Sequence, residues 1–291
     1  MYDNVLVGVD GLAGGRDAVA LASHLASGSA RLTLLHVRAL DLAPSRALQG
    51  FDDFLEPERL IELLQRERRS DAFAAEMTSV MGASVGRGLH DVAEDRTADL
   101  IVVGACHRST IGRVLIGDDA RSAVQHAPCA VAIAPTGYAE RPGSIRKIGV
   151  AYDGSGQSTV ALAHSALLAD GTGAELIVRD VVGGYGDAWL EGATYVEDAA
   201  VIAAERERLG APDGTHVDVV VGFPQEELAM LSEHVDVLVC GSRHQGAIKR
   251  VLLGSMSEYL SRHSACPLVV TPSNDEKRVV AWHALGAPAA A

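Results

Sequence analysis

Two stretches of this chain repeat one another in a fixed register, and that duplication limits the fold more than any other feature of the sequence. GACHRSTIGRVLIGDD (Gly104–Asp119) aligns with GSRHQGAIKRVLLGSM (Gly241–Met256): a leading Gly, a His, an Ile, the run Arg-Val-Leu and a second Gly coincide. The register continues into HAPCAVAIAP (His126–Pro135) and HSACPLVVTP (His263–Pro272), where His, Cys and the final Pro fall at the same offset. Upstream, VLVGVDG (Val5–Gly11) and IGVAYDGS (Ile148–Ser155) are both apolar runs that end in Asp-Gly. A chance match of this length is improbable, so the chain reads as a duplicated domain. Its 291 residues suit two domains, each of roughly 100–200 residues. Domain 1 is assigned to residues 1–137, domain 2 to 145–273, and a C-terminal tail to 274–291. The join falls near Gly137–Ser144, where Pro, Gly and charge cluster.

Each half alternates short apolar runs with longer amphipathic stretches, the pattern of an α/β domain with parallel strands and right-handed crossovers. In the first half strands are expected near Asn4–Val9, Leu32–Val37, Ala83–Gly86, Leu100–Gly104 and Ala130–Ala134. Helices are expected over Gly15–Ser27, Pro57–Thr78, Leu89–Arg96 and Asp118–His126. In the second half strands fall near Lys147–Tyr152, Glu175–Val182, His216–Val221, Val235–Cys240 and Leu268–Thr271. The intervening helices are expected near Gln157–Ala169, Glu191–Leu209, Gln225–Glu233 and Ser255–His263. The fold class is thus two tandem, Rossmann-like open parallel five-stranded sheets with helices on both faces. The tail, rich in Ala and Pro, reads as loosely attached, with Trp282 able to dock on the body.

Composition narrows the function classes. Hydrophobic residues make up 48% and aromatics only 4%, so the core is built from Val, Leu, Ile and Ala, as suits helices on a parallel sheet. A formal net charge of −13 repels phosphate backbones and argues against nucleic acid as a partner. Cys106, Cys129, Cys240 and Cys266 form no CxxC pair and read as small packing residues of a reducing compartment. Met1–Asp10 lacks the basic stretch of a secretory signal, and no apolar run approaches the roughly 20 residues of a membrane span. A soluble, cytoplasmic protein is expected.

An open parallel sheet binds ligands beyond the carboxyl ends of its strands, at the point where strand order reverses. There, each half carries an Asp after the first strand and a glycine-bearing segment after the fourth. GVDGLAGG (Gly8–Gly15) and AYDGSGQS (Ala151–Ser158) do not fit the spacing of a GxGxxG fingerprint, and no GxxxxGK[ST] loop occurs. Glycine lets backbone approach a phosphate and adopt φ > 0. A helix opening at Gly254 presents free N–H groups and a positive dipole end to an anion. Ser255 can add its hydroxyl, and Asp153 can accept hydrogen bonds from an adenine amino group or a ribose.

On these residues the chain resembles the universal stress proteins, over nearly its whole length. ATP-binding members carry G-x-x-G-x9-G-[ST] after the fourth strand and an Asp ending the first. The resemblance implies a sheet order of 3-2-1-4-5 and pairing of the fifth strands, Ala130–Ala134 with Leu268–Thr271, so that the chain is its own pseudo-dimer; homodimers are a further expectation. It places an adenine-nucleotide site of domain 2 at Ala151, Asp153, Val181, Gly241, His244, Gly254, Ser255 and Met256. The degenerate counterpart in domain 1 is Asp10, Val37, Gly104, His107, Gly117 and Asp118. His107 and His244 replace the family's middle glycine, and Asp118 replaces its Ser or Thr. The cofactor implied is ATP with Mg, bound weakly in domain 2 and repelled in domain 1 by Asp118 and Asp119.

Each feature also has a local reading. Asp-Gly after a strand is an ordinary turn. Ser255 and Asp118 suit helix N-caps. Lys249 and Arg250 read either as phosphate-steering cations or as a solvated turn. Neither His107 nor His244 has companions at metal-ligand spacing, so no metal is expected. Three functions follow: a noncatalytic stress-response regulator that senses adenine nucleotide, a ligand-free interaction module, and an adenine-nucleotide hydrolase. The last is disfavoured because neither Asp-Gly loop resembles the SGGxDS pyrophosphate grip of such enzymes.

Overall fold

The computed structural model describes residues 1–39, 75–105, 113–114, 117–141, 143–183, 194–195, 203–204, 207, 216–242 and 250–285. In the first half, β1 (Tyr2–Gly8), α1 (Ala13–Leu25), β2 (Ala26–Ala39), β3 (Glu76–Gly82), α2 (Val85–Asp95), β4 (Leu100–Gly104), α3 (Asp118–Val124) and β5 (Ala130–Ala134) follow in order. A single 3-10 turn, Tyr138–Glu140, lies in the connection. The second half comprises β6 (Lys147–Tyr152), α4 (Gly156–Thr172), β7 (Glu175–Gly183), β8 (Thr194–Tyr195), β9 (His216–Gly222), α5 (Pro224–Leu231), β10 (Val237–Gly241), α6 (Ser255–His263) and β11 (Leu268–Thr271). α7 (Glu276–Ala284) closes the chain.

Each half is the expected parallel unit, and the expected pairing of the two fifth strands makes their sheets continuous. They merge into one 11-stranded sheet of order β3-β2-β1-β4-β5-β11-β10-β6-β7-β9-β8. Within each half the expected parallel order 3-2-1-4-5 holds, and β8 adds a two-residue antiparallel edge against β9. The halves join because β5 and β11 pair antiparallel, with Leu268 opposite Ile133, Val269 opposite Ala132 and Val270 opposite Val131. These apolar strands are fully covered, which removes two edges that would otherwise invite aggregation.

Reciprocal contacts surround that seam and show its pseudo-twofold symmetry. Val114 N–H donates to Ser264 O at 2.9 Å, and its counterpart Val251 N–H donates to Ala127 O at 2.9 Å. Arg113 reaches Glu233 at 3.4 Å, while its counterpart Arg250 reaches Glu94 at 2.6 Å. Near the axis, Arg121 of α3 pairs with Glu258 of α6 at 2.7 Å. The face under α1 and α4 is one apolar cluster drawn from both halves, including Val5, Leu21, Ile148 and Leu162.

Several expected elements move. Strand β3 occupies Glu76–Gly82 rather than Ala83–Gly86, because Ser84 caps α2, its Oγ accepting from Arg87 N–H at 3.1 Å. Glu76–Thr78, expected as helix, pairs with β2 as strand, while residues 57–74 lie outside the described residues. Within Glu191–Leu209, Thr194–Tyr195 is strand, and most of the remainder lies outside the described residues. The described part of the tail is not loose: α7 packs on α4, and Trp282 is 1% exposed, while residues 286–291 lie outside the described residues.

The anchor of α7 is polar. Tyr2 O–H donates to His164 Nδ1 at 2.9 Å, and the opposite ring nitrogen faces Asp275 at 3.2 Å. Arg278 lies 4.0 Å over the Tyr2 ring and pairs with Asp99 at 3.0 Å. Burial lowers the His164 pKa to about 4, so the ring is neutral at physiological pH and its Nε2–H donates to Asp275. An imidazole that is harder to protonate folded than unfolded stabilises the fold fully above about pH 6.5. That contribution, about 3 kcal/mol, is lost as pH falls toward 4. Burial shifts His24 and His90 in the same direction.

Two outcomes are expected. Denaturant melts should show stability falling between pH 6.5 and about 4 with a slope that is shallower in His164→Phe; an equal slope in both proteins would remove His164 from the account. Val131→Lys together with Val269→Lys buries two charges in the seam and should lower the thermal midpoint by roughly 5–10 °C or more; scanning calorimetry reads it directly.

Candidate functional site

The Asp-Gly turns set the floor of each cleft. Asp10 Oδ1 accepts Leu12 N–H at 2.9 Å, and Asp153 Oδ1 accepts Ser155 N–H at 2.9 Å. Gly11 (φ 79°) and Gly154 (φ 78°) adopt the left-handed conformation that such a turn requires. The local turn reading therefore holds in both halves. Burial pushes the Asp153 carboxyl up, but hydrogen bonds from the Ser155 hydroxyl and N–H outweigh it and hold the pKa below the usual value. It stands charged and exposed at the mouth.

Behind Asp153, at the carboxyl ends of β6 and β10, lies a cleft of about 550 Å³. It brings together Ala151, Asp153, Val181, Gly241, Gly254, Ser255 and Met256; His244 lies outside the described residues. Sequence reasoning missed Ser155 and Ser158 from the turn, Pro224 and Leu228 from α5, and Ser242 beside Gly241, all of which line the same space. The Ser242 hydroxyl oxygen is buried and, among the described residues, lacks a hydrogen-bond partner. Alternation past Gly241 could have suggested it.

The equivalent cleft of domain 1 measures about 110 Å³. Asp10, Val37 and Gly104 line it, whereas Gly117 and Asp118 do not; Asp119 and Ala120 take that side, and His107 lies outside the described residues. Two close approaches shrink it. A Cβ on Gly104 would stand 2.2 Å from the Gly14 carbonyl oxygen, and one on Gly88 would stand 2.5 Å from a Val37 methyl. The matching contact in domain 2 is looser, 2.9 Å from Gly241 to the Gln157 oxygen.

Some local roles differ from the expected ones. The N-caps are Gly117 and Gly254, so Asp118 and Ser255 are the first helical residues. Arg250 does not face the cleft: it pairs with Glu94 and donates to His126 O across the seam, and Lys249 lies outside the described residues. Cys129, Cys240 and Cys266 are buried and free, and burial pushes the thiols of Cys240 and Cys266 up to about 12, which makes them poor nucleophiles.

Doubly wound halves with clefts at their strand-order switch points define a tandem open-sheet α/β protein. The chain belongs to the universal stress protein family, whose model matches residues 1–135 and 144–272. A universal stress protein of Mycolicibacterium smegmatis is 27% identical over 283 residues, 91% of this chain and 96% of that one. One from Mycobacterium tuberculosis is 27% identical over 202 residues, covering 65% and 69%. The crystal structure of a universal stress protein from Archaeoglobus fulgidus superposes with a TM-score of 0.65 at 20% identity, covering 93% of this chain and 98% of that one.

The glycine geometry predicts unequal tolerance. Gly104→Ala forces a Cβ to within 2.2 Å of backbone and should destabilise by about 1–3 kcal/mol, whereas Gly241→Ala, whose Cβ would meet the Gln157 carbonyl oxygen in a milder clash at 2.9 Å, should cost less; paired thermal melts rank the two, and the reverse ranking would contradict the geometry.

Proposed function

We propose that the chain is a noncatalytic stress-response regulator whose domain 2 binds an adenine nucleotide, ATP with Mg, weakly, while domain 1 binds none. The observation that carries this reading is the 550 Å³ cleft where Asp153, Val181, Gly241, Gly254 and Ser255 converge. Small-molecule sites commonly enclose about 300–1,000 Å³. The cleft of domain 1, at about 110 Å³, falls short of that, and Asp119 lines the end where phosphate would sit. A carboxylate about 4 Å from a phosphate charge costs roughly 4 kcal/mol at an effective dielectric near 20. In domain 2 the acidic residue of the corresponding turn, Glu258, is held by Arg121 and Arg262, each at 2.7 Å. The nucleotide would lie with its adenosine side at Asp153 and Val181 and its phosphates at the start of α6.

For domain 1 a second reading has its own support. Its small cleft and its salt bridges to the other half suit a ligand-free partner domain. Among the described residues no helix is long and apolar enough to cross a membrane, and the net charge of −13 argues against nucleic acid. The proposed setting is the cytoplasm.

Calorimetric titration of the full chain with MgATP should give about one site per chain. Ser255→Asp, which copies Asp118 of domain 1, should weaken binding tenfold or more. Two equivalent sites, or an unchanged affinity in the variant, would overturn the assignment.

A further inference from the structure

Among the described residues, the cleft of domain 2 holds one buried polar atom, Ser242 Oγ, without a hydrogen-bond partner. We infer that Ser242 Oγ donates a hydrogen bond to a phosphoryl oxygen of the nucleotide, making Ser242 a residue that selects phosphorylated ligands. This rests on the nucleotide reading of the same cleft.

Ser242 is fixed in place. Its N–H donates to Thr271 O at 3.1 Å, continuing the β10–β11 ladder one residue past the strand end. Strand alternation puts its side chain on the face of Leu238 and Cys240, which pack in the cluster containing Leu228 of α5 and Leu260 of α6. α6, nine residues long, opens on that same face, and its Gly254, Ser255 and Met256 line the cleft with Ser242. The first N–H groups of such a helix and its positive dipole end favour an anion.

The hydroxyls of Ser155, Ser158 and Ser257 in the same cleft are committed elsewhere. Ser155 Oγ accepts Ser158 N–H at 3.2 Å, and Ser158 Oγ donates to Ser155 O at 2.9 Å, together capping α4. Ser257 Oγ accepts Gly254 N–H at 2.9 Å. Ser242 is 4% exposed, and its Oγ has no hydrogen-bond partner among the described residues. A buried hydroxyl in that condition calls for a partner, and the space beside it is the ligand cleft. In domain 1 the corresponding residue is Ala105, which lines its cleft beside Asp119. The hydroxyl is therefore present in the larger cleft and absent from the smaller one.

The test is Ser242→Ala in the full chain, read by MgATP titration calorimetry and by the ligand-free thermal midpoint. The expected result is about tenfold weaker MgATP binding with a midpoint unchanged or raised, because removing an unsatisfied buried hydroxyl does not destabilise the empty fold. Unchanged affinity in the variant overturns the inference and leaves the nucleotide reading standing. Weaker binding accompanied by a lowered midpoint assigns Ser242 a packing role and also overturns it. Failure of the unaltered chain to bind MgATP overturns both.

Discussion

The antiparallel pairing of β5 with β11 is the contact on which the remaining architecture depends. An open parallel sheet ends in an edge strand, and here each half uses the other's edge to cover its own. The seam does more than close an edge. The segment leading into α3 is bonded to the second half through Val114, and the segment leading into α6 is bonded to the first half through Val251. Each cleft is thus positioned partly by the opposite domain, and a half removed from its partner would lose the backbone contacts that hold its helix start.

On this common frame the two clefts diverge through a few residues. Gly88 lets α2 settle onto Val37, and Gly104 lets α1 settle onto the end of β4, and the cleft of domain 1 is the smaller of the two. In domain 2 a buried Arg179 stands in β7, paired with Asp218 at 2.7 Å and lying under α5 beside Glu227. Burial raises the Glu227 carboxyl above its usual value against the opposing pull of Arg179. Where the first half fills the space between strand and helix by close approach, the second holds its helix over a polar layer, and the cleft beside it stays open.

The repeat made much of this legible. Strands β4, β5, β6 and β11 and helix α6 fall where the apolar runs and the Gly-Ser boundary put them, because buried parallel strands read as short continuous runs of Val, Ile and Leu. The sequence misled where a polar side chain outranked the pattern. Ser84 ended a stretch that looked like strand, and the Tyr2–His164–Asp275 chain anchored a tail that looked unattached. Such tertiary hydrogen bonds join residues far apart in sequence and leave no local periodicity. Among the site residues, those marked by Gly or by the Asp-Gly turn were visible, whereas Leu228, Pro224 and Ser242 reach the cleft only through the packing of α5 and the last step of β10.

The pair formed by Arg121 and Glu258 carries a consequence of its own. These residues occupy the same position in the two repeats, and they meet each other near the pseudo-twofold axis. In a dimer of identical subunits a residue at such an axis meets its own copy, so a charge there faces a like charge. Fusion into one chain frees the position from that rule, and the duplicated domain has taken opposite signs on its two sides. A first half meeting another first half would set arginine against arginine, and two second halves would set glutamate against glutamate. At this half-exposed site the pair is worth less than about 1 kcal/mol as an attraction, but it also acts as a marker of identity, favouring unlike halves and so the pairing that a single chain can satisfy by itself.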